Sequence, residues 1–265
     1  MDLRFTLVGL VIGFLIGLTG MGGGSLMTPV MVLVMGVKPL IAVGTDLAYG
    51  AITKIVGGAM HYRQATVHRR SAYLLALGSV PSTVLGVTVT AAVKRANPDL
   101  VNTFLLRGIA VVLILVAVVL AARPIIMAKV EEWNHGRTAV QDRVIMLGER
   151  KPWLLPIIGA FVGFMVGLTS VGSGTLIILA LFFLYPRWET KDLVGTDVFH
   201  AAVLVSAAAI AQFSAGNVNL SMTLSLLLGS IPGVLIGSRL VINVPGGPLR
   251  MSLAGVLLIS GAKML

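Results

Sequence analysis

Ten apolar runs follow one another along this chain, at about 5–20, 25–36, 40–60, 72–93, 103–122, 153–170, 174–185, 191–213, 222–242 and 249–265. Few architectures tolerate such a succession. A helix crosses a bilayer with about 20 apolar residues at a rise of 1.5 Å each. Only 11% of the residues are charged, where a soluble domain carries about a quarter. Backbone amides in hydrocarbon must pair within their own segment or a closed barrel, so runs of this length predict an all-α, polytopic membrane protein. The second and seventh runs are too short to cross. The first two runs of each half therefore read as half-helices meeting at a glycine break, or as one short and one tilted span. No cysteine is present, which removes disulfides and thiolate metal sites, and no metal or cofactor is expected. The first run follows a basic residue, as in a signal peptide, but no small-residue cleavage site follows it, so it is expected to be retained.

The glycine break occurs twice. Gly13, Gly17, Leu18, Thr19, Gly22 and Gly24 recur in the same order and spacing as Gly163, Gly167, Leu168, Thr169, Gly172 and Gly174. Val43, Gly44, Thr45 and Asp46 recur as Val194, Gly195, Thr196 and Asp197, and Leu77, Gly78, Ser79 and Pro81 as Leu228, Gly229, Ser230 and Pro232. The chain is thus a duplicated unit of about five apolar segments. Three parts are expected: a first transmembrane repeat over 1–122, a cytoplasmic connector over 123–151 and a second repeat over 152–265.

An odd number of segments per unit inverts the second copy relative to the first, and the charges agree. The loop HYRQATVHRR (61–70) carries Arg63, Arg69 and Arg70, whereas its counterpart QFSAGNVNLS (212–221) carries no charge. Positive charge marks cytoplasmic loops, which puts 61–70 inside and 212–221 outside. The connector, with Arg123, Lys129, Arg137, Arg143, Arg150 and Lys151, also belongs inside. Both termini then lie outside the cytoplasm. The loop KRANPDL strains this threading, because it places Lys94 and Arg95 outside. Within the connector, MAKVEEWNHGRTAVQDRVI reads as a short amphipathic helix on the membrane surface. The net charge of +10 is spread among these loops and is no nucleic-acid patch.

Gly9, Gly13 and Gly17 have the small-xxx-small spacing of close helix packing. The clusters GMGGGS and SVGSGT exceed what packing needs. Non-helical backbone at membrane depth is tolerated only inside protein or beside a cavity. Each cluster opens a short run whose free N–H groups and positive dipole end point inward. Two such ends make an anion site from main chain alone, which names Gly22, Gly23, Gly24 and Ser25 with Gly172, Ser173, Gly174 and Thr175. Thr45 and Thr196 suit either capping a helix N-terminus or holding substrate. Asp46 lies about four turns from the Arg63 end, deep in a core ~30 Å thick. A carboxyl there is costly when ionised and lines a functional path. Lys54, whose counterpart is Val205, is either a lysine snorkelling to the surface or a fixed cation for an anion. It is too far along the helix from Asp46, ~12 Å, for a direct ion pair. His200 shares a helical face with Asp197 and is a candidate proton carrier with Asp46 and Asp197. Tyr49 occupies its equivalent place.

GLTGMGGGSLMTP, AVGTDLAYGAITK, the following H-Y-R, VGSGT and VGTDVFHA together resemble the sulfite exporter TauE/SafE family, the four-TMS TSUP family, over nearly the whole chain. The resemblance implies a bacterial inner-membrane carrier of sulfite, sulfoacetate or a related sulfur-containing or organic anion. It carries function onto Gly22 to Ser25, Thr45, Asp46, Gly172 to Thr175, Thr196 and Asp197. A departure is that Leu179 stands where the first half has Pro29. The expected partners are a small anion and the lipid bilayer. The leading reading is a non-enzymatic secondary carrier with alternating access, with proton coupling as a further expectation. A passive anion channel on the same scaffold is the alternative. An intramembrane aspartyl protease is the remaining class, although V-G-T-D matches neither the YD nor the GxGD setting of such enzymes. Oligomeric state, flux direction and coupling ion stay open.

Overall fold

The computed structural model describes residues 2–19, 24–135, 147–240 and 246–265. Helices account for nearly all of them: α1 (Leu3–Thr19), α2 (Gly24–Leu33), α3 (Pro39–Arg63), α4 (Arg69–Ala96), α5 (Leu100–His135), α6 (Leu147–Arg150), α7 (Leu154–Thr169), α8 (Ser173–Leu184), α9 (Thr190–Ser214), α10 (Leu220–Leu240) and α11 (Gly246–Met264). Among the described residues α3, α4, α9, α10 and the Leu100–Ala122 part of α5 are long and apolar enough to span a membrane. The elements flanking the glycine clusters are shorter: α1 has 17 residues, α2 10, α7 16 and α8 12. They are the expected half-helices. α5 differs from expectation, continuing past 122 to His135 without a break. The first part of the connector therefore extends a spanning helix instead of forming a separate surface one, and 136–146 lie outside the described residues.

The repeats are inverted, and the contacts show it directly. α3 and α9 hold the same place in their units yet pack antiparallel, Gly50 against Val205 and Gly57 against Val198. α1 instead runs parallel to α10: a Cβ on Gly9, Gly13 or Gly17 would land on the backbone of Leu226, Ser230 or Val234 in turn. The same register relates Gly159, Gly163 and Gly167 of α7 to Leu75, Ser79 and Thr83 of α4. Lipid offers no hydrophobic drive for helix association, so close van der Waals approach along small residues must supply it. Sequence spacing thus becomes packing: each glycine stripe is covered by a helix of the other half. α5 meets α11 in the same way, with Gly261 against Ala110 and Ile114.

The recurring V-G-T-D has its explanation here. Gly44 admits the backbone of Asn217, and Gly195 admits Thr66. The next residue completes the join. Thr45 Oγ1 accepts the backbone N–H of Asn219 (3.2 Å), and Thr196 Oγ1 accepts that of His68 (3.0 Å). Each threonine does cap a helix N-terminus, but that of the other half's fourth helix, because Thr45 and Thr196 lie in the second turns of α3 and α9 and not at their starts. At the same end as Asn219, Lys94 Nζ donates to Asn217 Oδ1 (2.9 Å). That contact gives the awkwardly placed lysine a local partner. At the opposite end, rings of Tyr185, Trp188 and His68 stack at 3.9 and 3.7 Å and tie the loop after α8 to the loop before α4.

One difference between the units is a stability lever. The turn after α9 passes through Gly216, φ +69, with open space around its Cα, whereas the turn after α3 passes through Ala65, φ +56 and exposed. The left-handed conformation costs a residue with a Cβ about 1 kcal/mol relative to glycine. Ala65→Gly is expected to raise the melting temperature of the purified protein by a few degrees. An unchanged or lower value would show that the loop geometry is not limiting.

Candidate functional site

Asp46 sits two turns into α3, fully inside the protein. A carboxyl this deep needs donors, and two elements bring them. α2 contributes Thr28, whose hydroxyl donates to Asp46 Oδ2 at 2.5 Å. The break between α7 and α8 contributes Ser170, whose hydroxyl donates to the same oxygen at 2.9 Å. Ser170 has φ +63, a left-handed conformation that its counterpart, Gly20, would adopt without a side-chain penalty. The hydroxyl on Asp46 offsets that strain. Asp46 Oδ1 has no hydrogen-bond partner among the described residues.

Lys54 lies just over two turns further along α3 and is buried. It does not snorkel. Its Nζ donates to Ser173 Oγ (2.5 Å) in the first turn of α8, where N–H groups are left free by the helix start. Gly172, φ +96, forms the preceding cap position; a Cβ there would be strained. Lys54 is within electrostatic range of both Asp46 and Asp197. Asp197, buried in α9, has no partner for its Oδ1 among the described residues. Lys54, Asp197 and Gly174 share a cavity of about 490 Å³ between α1, α3, α9 and α10. Tyr49 and Ser230 complete its polar end, and Ile16, Val56, Met60, Val234 and Leu235 form apolar walls.

The carboxyls are duplicates, but their surroundings are not. Where Asp46 has Thr28 and Ser170, the positions matching for Asp197 are Ile178 and Gly20. Where Lys54 reaches Ser173, the mirrored positions are Val205 and Gly23. Duplication made a symmetric frame, and substitution made one polar site in it. Other pairs kept the symmetry. His200 Nε2 and Ser79 Oγ are 2.8 Å apart, and Ser230 is the matching partner of the Tyr49 hydroxyl. His61 with Thr66 mirrors Gln212 with Asn217.

The structure thus brings together Asp46, Lys54, Ser173, Gly174 and Asp197 from α3, α8 and α9. It does not bring Thr45 and Thr196 to the cavity, because their hydroxyls are taken up in the crossed caps. His200 is buried against α4, one turn from Asp197, and its Nδ1 has no partner among the described residues. Ser25 and Thr175 are half-buried in the first turns of α2 and α8, and Gly24 begins α2. Gly22 and Gly23 lie outside the described residues. Sequence reasoning missed Thr28 and Ser170. The available signal for Ser170 was a hydroxyl standing where the first repeat has glycine.

A duplicated helical bundle around a buried cation and two carboxyls at membrane depth is the framework of a multi-pass membrane transporter of the cell membrane. The model of the sulfite exporter TauE/SafE family matches residues 5–264, and the chain belongs to that family. It is 39% identical over the full length of both chains to "Probable membrane transporter protein YjnA" of Bacillus subtilis (strain 168). It is 27% identical to "Probable membrane transporter protein YunE" of the same organism, over 97% of this chain and 95% of that one. A third relative there, "Probable membrane transporter protein YdhB", is 22% identical over 98% of each chain. No solved structure matches.

Proposed function

We propose that this transporter is a secondary carrier that moves a small anion, sulfite, sulfoacetate or a related sulfur-containing or organic anion. The observation carrying the reading is the buried Lys54 ammonium, supplied by one repeat alone and presented to a cavity beside the start of α8. Isolated charge at membrane depth is costly and marks a substrate or ion path. Lys54, Ser173 and Gly174 hold the anionic group, and the apolar walls favour an anion with a carbon body over bare sulfite. Two acids face one base. An anion entering beside ionised Asp46 and Asp197 would meet repulsion, so its entry is coupled to protonation of at least one of them. Because α1 is seated on α10 and α7 on α4, the moving bodies are these crossed pairs, which rock about α3 and α9 to expose the site to each side in turn. A non-enzymatic role fits the family and the transporter names of the relatives.

Proteoliposome flux with a panel of sulfite, sulfoacetate, alkanesulfonates and short carboxylates tests the proposal. Saturable uptake of at least one, trans-stimulated by counterflow and accelerated by a pH gradient, is the expected result. Asp46→Asn is expected to lose the acceleration. Failure of every anion to move or compete would remove the anion assignment, and flux without saturation or counterflow would make the protein a channel.

A further inference from the structure

Arg107 takes no part in that site. It lies in α5, two turns in from Leu100, within an apolar span. The side chains around it on that face, Thr103, Phe104 and Val111, are exposed like Arg107 itself, so this stripe of α5 faces lipid. Among the described residues no hydrogen bond, ion pair or ring contact engages the guanidinium. A cation that cannot be deprotonated and lies about 10 Å along the helix from its end is costly in hydrocarbon unless it reaches the headgroup layer or pairs with an anion.

The space beside it is shaped for one. α7 stops at Thr169 instead of crossing, and its short end leaves a cavity of about 500 Å³ against α5 and the end of α4. Arg107 stands at this cavity, whose walls include Val93, Val112, Met165 and Leu168. Apart from Thr103, Thr169 and Arg107 the lining is apolar. A small hydrophilic substrate would find one charge and, beyond the hydroxyls of Thr103 and Thr169, only apolar wall. A molecule with a phosphate and a hydrocarbon chain would satisfy both parts. The guanidinium fork matches phosphate oxygens in a bidentate contact, and Arg107 can extend toward the headgroup layer while its stem stays in hydrocarbon.

We propose that Arg107 and the cavity at the end of α7 bind an anionic phospholipid, the phosphate on the guanidinium and an acyl chain between α4, α5 and α7. The lipid would fill the gap that the half-helix leaves and brace the α7–α8 break that holds Ser170 and Ser173. This site is independent of which anion the carrier moves.

The test is native mass spectrometry of the full-length protein, delipidated in detergent and titrated with phosphatidylglycerol or phosphatidylcholine of matched chains. Wild type is expected to retain phosphatidylglycerol at least tenfold better than phosphatidylcholine. Arg107→Gln is expected to remove that preference and Arg107→Lys to keep part of it. Gly108→Leu, which fills the cavity without changing charge, is expected to weaken retention of the lipid as well. Equal retention of both lipids by wild type, or an unchanged preference in Arg107→Gln, would overturn the proposal. Displacement of the lipid by soluble glycerol phosphate at similar concentration would also overturn it, since the site would then be one for free anions.

Discussion

Lys54→Gln is expected to lower substrate flux about 100-fold, because removing one member of a buried, hydrogen-bonded charge set costs several kcal/mol. Two effects combine. The anion loses the one buried lysine or arginine among the described residues, and Asp197 and Asp46 lose the opposite charge that faces them. The second effect also threatens stability, since an unbalanced carboxylate in a dry interior is costly. The double variant Lys54→Gln/Asp197→Asn separates them. It is expected to recover the expression and melting behaviour of the wild type while remaining inactive. Lys54→Arg keeps the charge but puts a planar, bulkier fork where a compact ammonium meets Ser173, so a small residual flux is expected. Measured flux of Lys54→Gln within twofold of wild type, at matched reconstitution, would remove Lys54 from the substrate site and with it the case for an anion.

The second large effect is structural. Gly163→Val is expected to eliminate folded protein, read as loss of the monodisperse peak in fluorescence-detected size exclusion. A Cβ at this position meets the Ser79 backbone and the Ser82 hydroxyl, with Ser79 Cα at 2.6 Å. Backbone on the other side cannot yield as a flexible side chain would, so α7 must separate from α4 along its length. Packing is the main attraction between helices in lipid, so there is little to compensate. The mirrored change at Gly13, facing Ser230, is expected to do the same. Gly255 has open space around it and serves as the control. Gly255→Ala should leave the peak intact, and equal tolerance at Gly163 would show that the α4–α7 contact is not required.

Much of this architecture was legible beforehand because membrane helices obey few rules. Apolar run lengths anticipated α1 to α4, the start of α5 and α7 to α11 within a few residues. The short second and seventh runs anticipated half-helices, and the Gly9-Gly13-Gly17 spacing anticipated a packing stripe. The end of α5 was not legible, since Pro124 and the fall in hydropathy both signal a stop that the helix passes through. The site was legible in part. Asp46, Asp197 and Lys54 stood out as charges in apolar runs, yet Arg107 met the same criterion and was overlooked. Thr45 and Thr196 read equally as helix caps or as substrate ligands, and their hydroxyls accept backbone N–H groups at the seam between halves. The partners of Asp46 were hidden because Thr28 and Ser170 come from separate elements, and no periodicity along one helix reveals who faces whom across three.

The crossed pairing of α1 with α10 and α4 with α7 has an implication for biogenesis. The ribosome releases α1 long before α10 exists, so its glycine stripe must wait in the bilayer, covered by lipid, until the last part of the polypeptide arrives. A single ancestral unit could have matured only by meeting a second copy inserted upside down. Fusing the two into one gene guarantees that every molecule contains both orientations in equal number.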